Sequence, residues 1–271
     1  MPEGDTVHRA ARRLAELLEG RVITRCDVRV PAYALVDLSG ERVDSVVARG
    51  KHLLMRTETT LVHSHLKMEG SWHVYRLGAK WRRPAFEARV ILEVAGDETP
   101  DDASSTDRGW QAVGFALGQL DIVPLDREDD LVGYLGPDPL GPDWDRDEAL
   151  RRLTADPDRP IGLALLDQRV IAGLGNDYRN ETLFLRGVLP DRPVGETDAA
   201  AALDLSVRLI QANRDRLERT TTGDTRPGKR LWVAHRDRQA CRRCGTRIRR
   251  GMLGEDALTE RITWYCTSCQ R

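Results

Sequence analysis

The chain has 271 residues, enough for two domains or for one large domain with an appendage. Its 40% apolar content, mean hydropathy of −0.48 and lack of a long apolar run exclude a transmembrane helix. No heptad, Gly-X-Y or biased tract is visible, which excludes coiled-coil, collagen and low-complexity classes. A formal charge of −1, from 42 basic and 43 acidic residues, argues on its own against a nucleic-acid partner.

That average conceals two asymmetries. From Arg226 onward twelve basic residues face only Asp237, Glu255, Asp256 and Glu260, so this segment carries +8 and the preceding residues −9. A basic module on an acidic body points toward a polyanionic partner. Arginine also dominates: 38 of the 42 basic residues are Arg, with Lys only at positions 51, 67, 80 and 229. Because Arg and Lys differ in geometry and hydration, each retained Lys is a candidate for a specific role.

In chain order, the charged stretch before Gly20 has no apolar core and is not a secretory signal. Thr6–Glu19 has helical periodicity, with Val7, Ala10, Ala11, Leu14, Leu17 and Leu18 on one face and Asp5 or Thr6 as cap. Short strands follow at Val22–Val30, Val43–Arg49, His52–Arg56, Trp72–Tyr75, Ala88–Val94 and Gln119–Val123, spaced as in a sandwich or barrel. Cys26 falls in the first of these as a small core residue. Gly96–Gly109 reads as a solvated loop.

Beyond Pro124 the pattern turns helical, with candidates at Glu128–Leu135, Asp145–Leu153, Ile161–Val170, Asp177–Arg186 and Thr197–Arg219. Strands followed by a block of helices imply separate domains rather than an interleaved sheet. Gly173-Leu174-Gly175 makes a tight turn, with Asn176 expected at the N-cap of the next helix. By itself this run reads as a helical hairpin, although the free N–H groups would suit an anionic oxygen. Thr220–Gly228 is polar and reads as a mobile connection.

Four of the five cysteines form Cys241-x2-Cys244 and Cys266-x2-Cys269, separated by 21 residues. Two such knuckles predict one structural Zn2+ rather than a redox dithiol, which needs a single CxxC on a βαβ unit. No organic cofactor is expected. At the other end, Pro2 directly precedes Glu3. If Met1 is trimmed, a secondary amine is exposed whose ordinary pKa, near 8 for an α-amine, leaves a useful neutral fraction at about pH 7. Glu3 then places a carboxyl group beside an amine nucleophile.

Taken together, Pro2-Glu3-Gly4, Gly50-Lys51-His52-Leu53-Leu54, the Leu165–Asn176 run and the cysteine ribbon resemble the formamidopyrimidine-DNA glycosylase/endonuclease VIII family. The resemblance spans the whole chain and rests on the order of four independent motifs. It implies a multi-domain α+β fold: an N-terminal β-sandwich with a flanking helix (1–123), a helix–two-turns–helix DNA-binding domain (124–225) and a C-terminal zinc-ribbon hairpin (226–271).

The implied activity is that of a bifunctional DNA glycosylase/AP lyase. By resemblance, Pro2 is the Schiff-base nucleophile, Glu3 the general acid/base and Lys51 a phosphate contact beside the lesion. Asn176 and Arg261 match a phosphate-gripping pair. Lys67 and Met68 occupy the place of residues that fill the space left by an extruded base, which must leave the stack to be reached; core filling is the alternative for Met68. Asp5-Thr6 replaces the Pro-Glu of some relatives, no Arg-Arg-Phe-Gly loop is recognisable near Ala112–Gly118, and Thr220–Lys229 is short. The last two departures favour the endonuclease VIII branch and oxidised pyrimidines over 8-oxoguanine. Damaged DNA is the implied partner of a monomeric, cytoplasmic, nucleoid-associated enzyme. A non-catalytic damage-binding protein of the same fold, an 8-oxoguanine-directed glycosylase and an unrelated zinc-ribbon module are the alternatives.

Overall fold

The computed structural model describes residues 2–96 and 109–271. Most of the expected Gly96–Gly109 loop therefore lies outside the described residues. The chain divides into two compact units, residues 6–134 with Pro2, and residues 135–271 with Glu3–Asp5.

In the first unit, helix α1 (Gly4–Leu18) precedes strands β1 (Ile23–Val28), β2 (Val43–Arg49), β3 (His52–Thr57), β4 (Thr60–His65), β5 (Ser71–Arg76), β6 (Ala88–Val94), β7 (Trp110–Phe115) and β8 (Gln119–Pro124). They form two antiparallel four-stranded sheets, ordered β1-β6-β7-β5 and β2-β3-β4-β8. This is the expected sandwich. Its core draws Val43, Val46, Leu53, Met55 and Val62 from one sheet and Ile23, Val90, Leu92, Val94 and Ala112 from the other. Val7, Ala11, Leu14 and Leu18 of α1 close it, the valine and leucine side chains each adding roughly 1.5–3 kcal/mol by leaving water. A short helix α2 (Glu128–Val132) ends the unit.

Strands β4 and β7 were not expected from the sequence. β4 is buried along Leu61–Ser64, so its His63-Ser64-His65 end lacks the alternation that marks a half-exposed strand. β7 begins at the edge of the polar stretch and contains Gly114, which sequence reading treats as a breaker. A Cβ on that glycine would lie 2.6 Å from Leu117 Cδ1, so any side chain there would displace the buried leucine.

The second unit contains α3 (Arg146–Leu153), α4 (Ile161–Ala164), α5 (Asn176–Arg186) and α6 (Ala199–Asn213), then the hairpin β9 (Arg249–Leu253) and β10 (Arg261–Tyr265). Asp145 and Asp198 cap α3 and α6 by accepting from Glu148 N and Ala201 N. Two helices are shorter than their periodicity suggests. α4 stops at Ala164 because polar side chains take over the backbone groups that follow. Asp167 accepts from Arg169 N at 2.9 Å, and Gln168 Oε1 accepts from Gly173 N at 3.0 Å. α6 stops at Asn213, whose carboxamide brackets Thr220 through both its N–H and its carbonyl, at 2.8 and 2.9 Å. The expected mobile connection is tied down in the same way. Thr220 is buried, and Thr221 donates to the buried Glu181 carboxylate.

Candidate active site and cysteine centre

The two glycine motifs of the sequence meet inside the second unit. Gly4 N donates to Gly173 O at 2.9 Å, and a Cβ on Gly4 would lie 3.0 Å from Gly173 Cα. Gly173 itself has φ +88°, a left-handed conformation that disfavours any side chain. Glu3 follows the same path inward and is fully buried. Its carboxylate accepts from Gly175 N at 3.0 Å and from Asp177 N at 2.8 Å. A Cβ on Gly175 would stand 2.3 Å from Glu3 Cδ, so the second glycine is the space that the carboxylate occupies.

This geometry corrects the expected cap. Asn176 is the first residue of α5 rather than its N-cap; Gly175 takes that place and offers no side-chain cap. Glu3, 172 residues away in sequence, satisfies the free N–H groups instead, its charge favoured by the helix dipole. The anionic oxygen that these N–H groups suit is the chain's own.

Asn176 is thereby released for other contacts. Its Nδ2 donates to Ile262 O at 2.8 Å, and its Oδ1 accepts from Arg179 Nη2, which also reaches Ile262 O at 2.9 Å. Arg179 is fully buried, and burial, offset by Glu3 and reinforced by Arg261, pushes its guanidinium down to about 9. Arg261 precedes Ile262 on β10 and is exposed, donating to the carbonyl of Glu260 at 2.9 Å. Asn176 and Arg261 are thus brought to neighbouring positions by α5 and β10.

The hairpin is held by the cysteine centre. The four sulfurs of Cys241, Cys244, Cys266 and Cys269 lie within 4.8 Å of one another, with Cys244–Cys266 at 3.5 Å and Cys241–Cys269 at 3.9 Å. A tetrahedral ion with bonds of about 2.3 Å to sulfur places its ligands roughly 3.8 Å apart, whereas a disulfide needs about 2.05 Å. The donor set therefore fits a metal and not a disulfide. Phe184, Val233, Ile248 and Trp264 pack around it.

The remaining expected site residues belong to the first unit. Lys51 is half-buried in the tight turn between β2 and β3, beside Gly50 at φ +59°. Lys67 and Met68 sit in the turn after β4. Lys67 has φ +52°, and a Cβ on Gly118 would fall 2.2 Å from its Cγ. Met68 is 67% exposed and so is not core filler. Pro2 is half-buried, one residue from Glu3.

Sequence reasoning missed the groups that surround these residues. In the first unit Tyr134 OH lies 3.2 Å from His52 Nε2, His52 Nδ1 lies 2.7 Å from His63 Nε2, and His63 Nδ1 lies 2.8 Å from Asp121 Oδ2. In the second, Asp5, Asp177, Arg219 and His235 form a charged network below Glu3. The departure at Asp5 was the only signal available, since nothing marks Arg219 among so many arginines.

Comparisons with known proteins agree with these motifs. Residues 1–107 match the formamidopyrimidine-DNA glycosylase N-terminal domain and residues 135–213 the formamidopyrimidine-DNA glycosylase H2TH domain. A probable endonuclease 8 2 of Streptomyces coelicolor is 52% identical, over 100% of this chain and 94% of its own length. A DNA-(apurinic or apyrimidinic site) lyase Nei2 of Mycolicibacterium smegmatis is 48% identical, over 100% of this chain and 99% of its own length. The fold is shared with Lactococcus lactis Fpg solved with abasic-site DNA, at a TM-score of 0.78, 21% identity and 99% coverage of each chain. The chain belongs to the formamidopyrimidine-DNA glycosylase family, on its endonuclease VIII side.

Proposed function

We propose that this protein is a DNA glycosylase with AP lyase activity, acting in base excision repair on oxidised bases, pyrimidines above all. The observation that carries the reading is the docking of Glu3-Gly4 onto Gly173–Asp177, which fixes a buried carboxylate one residue in sequence from the nitrogen that becomes a secondary amine once Met1 is removed. The relatives named for apurinic or apyrimidinic site cleavage and for endonuclease 8 support it.

In this reading removal of Met1 frees the Pro2 amine, which attacks C1′ of the damaged nucleotide. The C1′–base bond breaks, the base leaves with a proton, and opening of the sugar gives an iminium. The iminium acidifies the C2′ proton; its removal expels the 3′ phosphate, and a second elimination expels the 5′ phosphate. Glu3 supplies and accepts protons for sugar opening and these steps. Lys51 holds a phosphate beside the lesion, Asn176 and Arg261 hold others, and Met68 with Lys67 enters the space left by the extruded base. Zinc is the metal proposed for Cys241, Cys244, Cys266 and Cys269, where its contribution is to hold the hairpin carrying Arg261.

Functionally we divide the chain into a catalytic sandwich (1–123), a helical DNA-binding segment (124–225) and a zinc ribbon (226–271), working as a monomer on damaged DNA. Borohydride reduction on abasic-site duplex tests the chemistry, with N-terminal processing confirmed by mass spectrometry. A covalent adduct through Pro2 is expected; no adduct with Met-free protein overturns the mechanism. A nicking panel of thymine glycol, dihydrouracil and 8-oxoguanine tests the lesion class.

A further inference from the structure

The network below Glu3 contains a cation that the chemistry above does not use. Arg219 lies beyond the end of α6 with its side chain only 11% exposed. Its Nη2 and Nε donate to Asp5 Oδ1 and Oδ2 at 2.6 and 3.1 Å, a two-pronged pair. Its Nη1 donates to Asp177 Oδ2 at 2.7 Å and stands 3.6 Å from Glu3 Oε1. The guanidinium carbon lies 4.5 Å from the centre of the Tyr178 ring, and Tyr178 OH donates to Asp5 Oδ2 at 3.1 Å. His235 Nε2 lies 2.8 Å from the other Asp177 oxygen.

Three carboxylates share this small volume, and like charges so close cannot all stay ionised without a cation among them. Burial works against the Arg219 charge, yet Glu3 and Asp5 raise its guanidinium well above the ordinary value. Burial likewise pushes the Asp177 carboxyl upward, and the His235 bond and the Arg219 charge bring it below the usual range. Glu3 differs from its two neighbours. They grip the guanidinium by hydrogen bonds, whereas Glu3 gives hydrogen-bond acceptors to Gly175 N and Asp177 N and meets Arg219 through charge.

We propose that Arg219 is a positioning residue for Glu3, aimed by Asp5 and Asp177, that keeps the Glu3 carboxylate anionic at the start of α5. The proposal rests on the reading of Glu3 as the acid/base group. It also gives Asp5 a role at the position where the sequence departs from the Pro of some relatives: Asp5 is the clamp that fixes the guanidinium. The charged and titratable groups facing the pair are Asp5 from α1, Asp177, Tyr178 and Arg179 from α5, and His235 from the segment before the cysteines.

Carboxyl-labelled glutamate NMR titration of the full, zinc-loaded chain reads the effect, with the Glu3 resonance assigned by its loss in Glu3→Gln. Arg219→Met removes the cation and leaves the carboxylates facing one another, so the Glu3 midpoint rises by about 1 to 3 on the pH scale. Asp5→Asn keeps one acceptor oxygen to hold the Arg219 guanidinium while removing a competing anion, and the midpoint falls. Arg219→Lys keeps the charge and stays near the parent. An unmoved midpoint in both Arg219→Met and Asp5→Asn overturns the proposal; if Arg219→Met does not fold, Asp5→Asn and Arg219→Lys decide it. Trapping rates on abasic DNA separate the two layers. If Glu3→Gln traps and nicks like the parent, the reading of Glu3 fails and the proposal with it. If Glu3→Gln is inactive and the midpoints do not move, only the role of Arg219 fails.

Discussion

The Glu3 carboxylate and the Asp177 amide, 174 residues apart in sequence, are joined by a buried hydrogen bond of 2.8 Å. The contact makes Glu3, the acid/base group of the proposed mechanism, a structural cap as well. Glu3→Ala leaves the Gly175 and Asp177 N–H groups without an acceptor, at a cost of roughly 1–3 kcal/mol. Glu3→Gln keeps one acceptor oxygen and loses less. Urea denaturation of the three proteins checks the order, and both variants lose lyase activity.

Gly175 is tested by adding a single methyl group. Gly175→Ala drives its Cβ into the Glu3 carboxylate, which must move away from α5. The expected cost is about 1–3 kcal/mol, with trapping on abasic DNA reduced while DNA binding persists. Gly223→Ala serves as a control, since a Cβ there meets nothing within 4 Å and only its φ of +82° adds strain. Thermal melts and trapping assays compare them.

Removing the proposed zinc is expected to dismantle the ribbon and leave the sandwich folded. Chelation, or Cys266→Ser, is expected to unravel β9 and β10 around Trp264 and Ile248 and to abolish DNA binding, while the sandwich core stays folded. Metal analysis should find about one zinc per parent chain. Tryptophan fluorescence and hydrogen exchange locate the loss.

The histidine chain in the first unit makes stability depend on pH. Burial, with His63, His65, Lys67 and Lys51 beside it, pushes His52 down to about 3 from an ordinary 6.5. Burial also takes His65 to about 4 and outweighs Asp121 in lowering His63. These rings stay neutral in the fold but take up protons once unfolded. Their stabilisation is therefore complete above pH 6.5 and is lost as pH falls toward 4 and 3. His52 alone accounts for about 2 kcal/mol between pH 6.5 and 5. Urea denaturation across this range shows the slope, and His52→Gln flattens it.

Met68 separates binding from stability. Its side chain is 67% exposed, so Met68→Ala leaves the unfolding midpoint within about 0.5 kcal/mol of the parent. Binding to lesion duplex weakens, whereas binding to an undamaged duplex of the same length does not. Equilibrium binding on the two duplexes measures the difference.

Much of this molecule could be read from local pattern. The cysteine pairs, the amphipathic face of α1 and six of the ten strands among the described residues each depend on spacing between near neighbours, which a sequence displays directly, whereas Pro2, Glu3, Lys51 and Asn176 were singled out as sites by resemblance to a family. What it could not display was any partner chosen at long range. The reason that Gly175 must be glycine is the Glu3 carboxylate, and the true N-cap of α5 comes from the other end of the chain. α4 and α6 end where side-chain hydrogen bonds from Gln168 and Asn213 outcompete a continuing helix, although their apolar periodicity runs on. Arg219 acquires its meaning only because folding buries it among three carboxylates. Charge, period and metal spacing are properties of short windows; burial and the pairing of buried charges belong to the folded chain, and those decide which residues Glu3 works with.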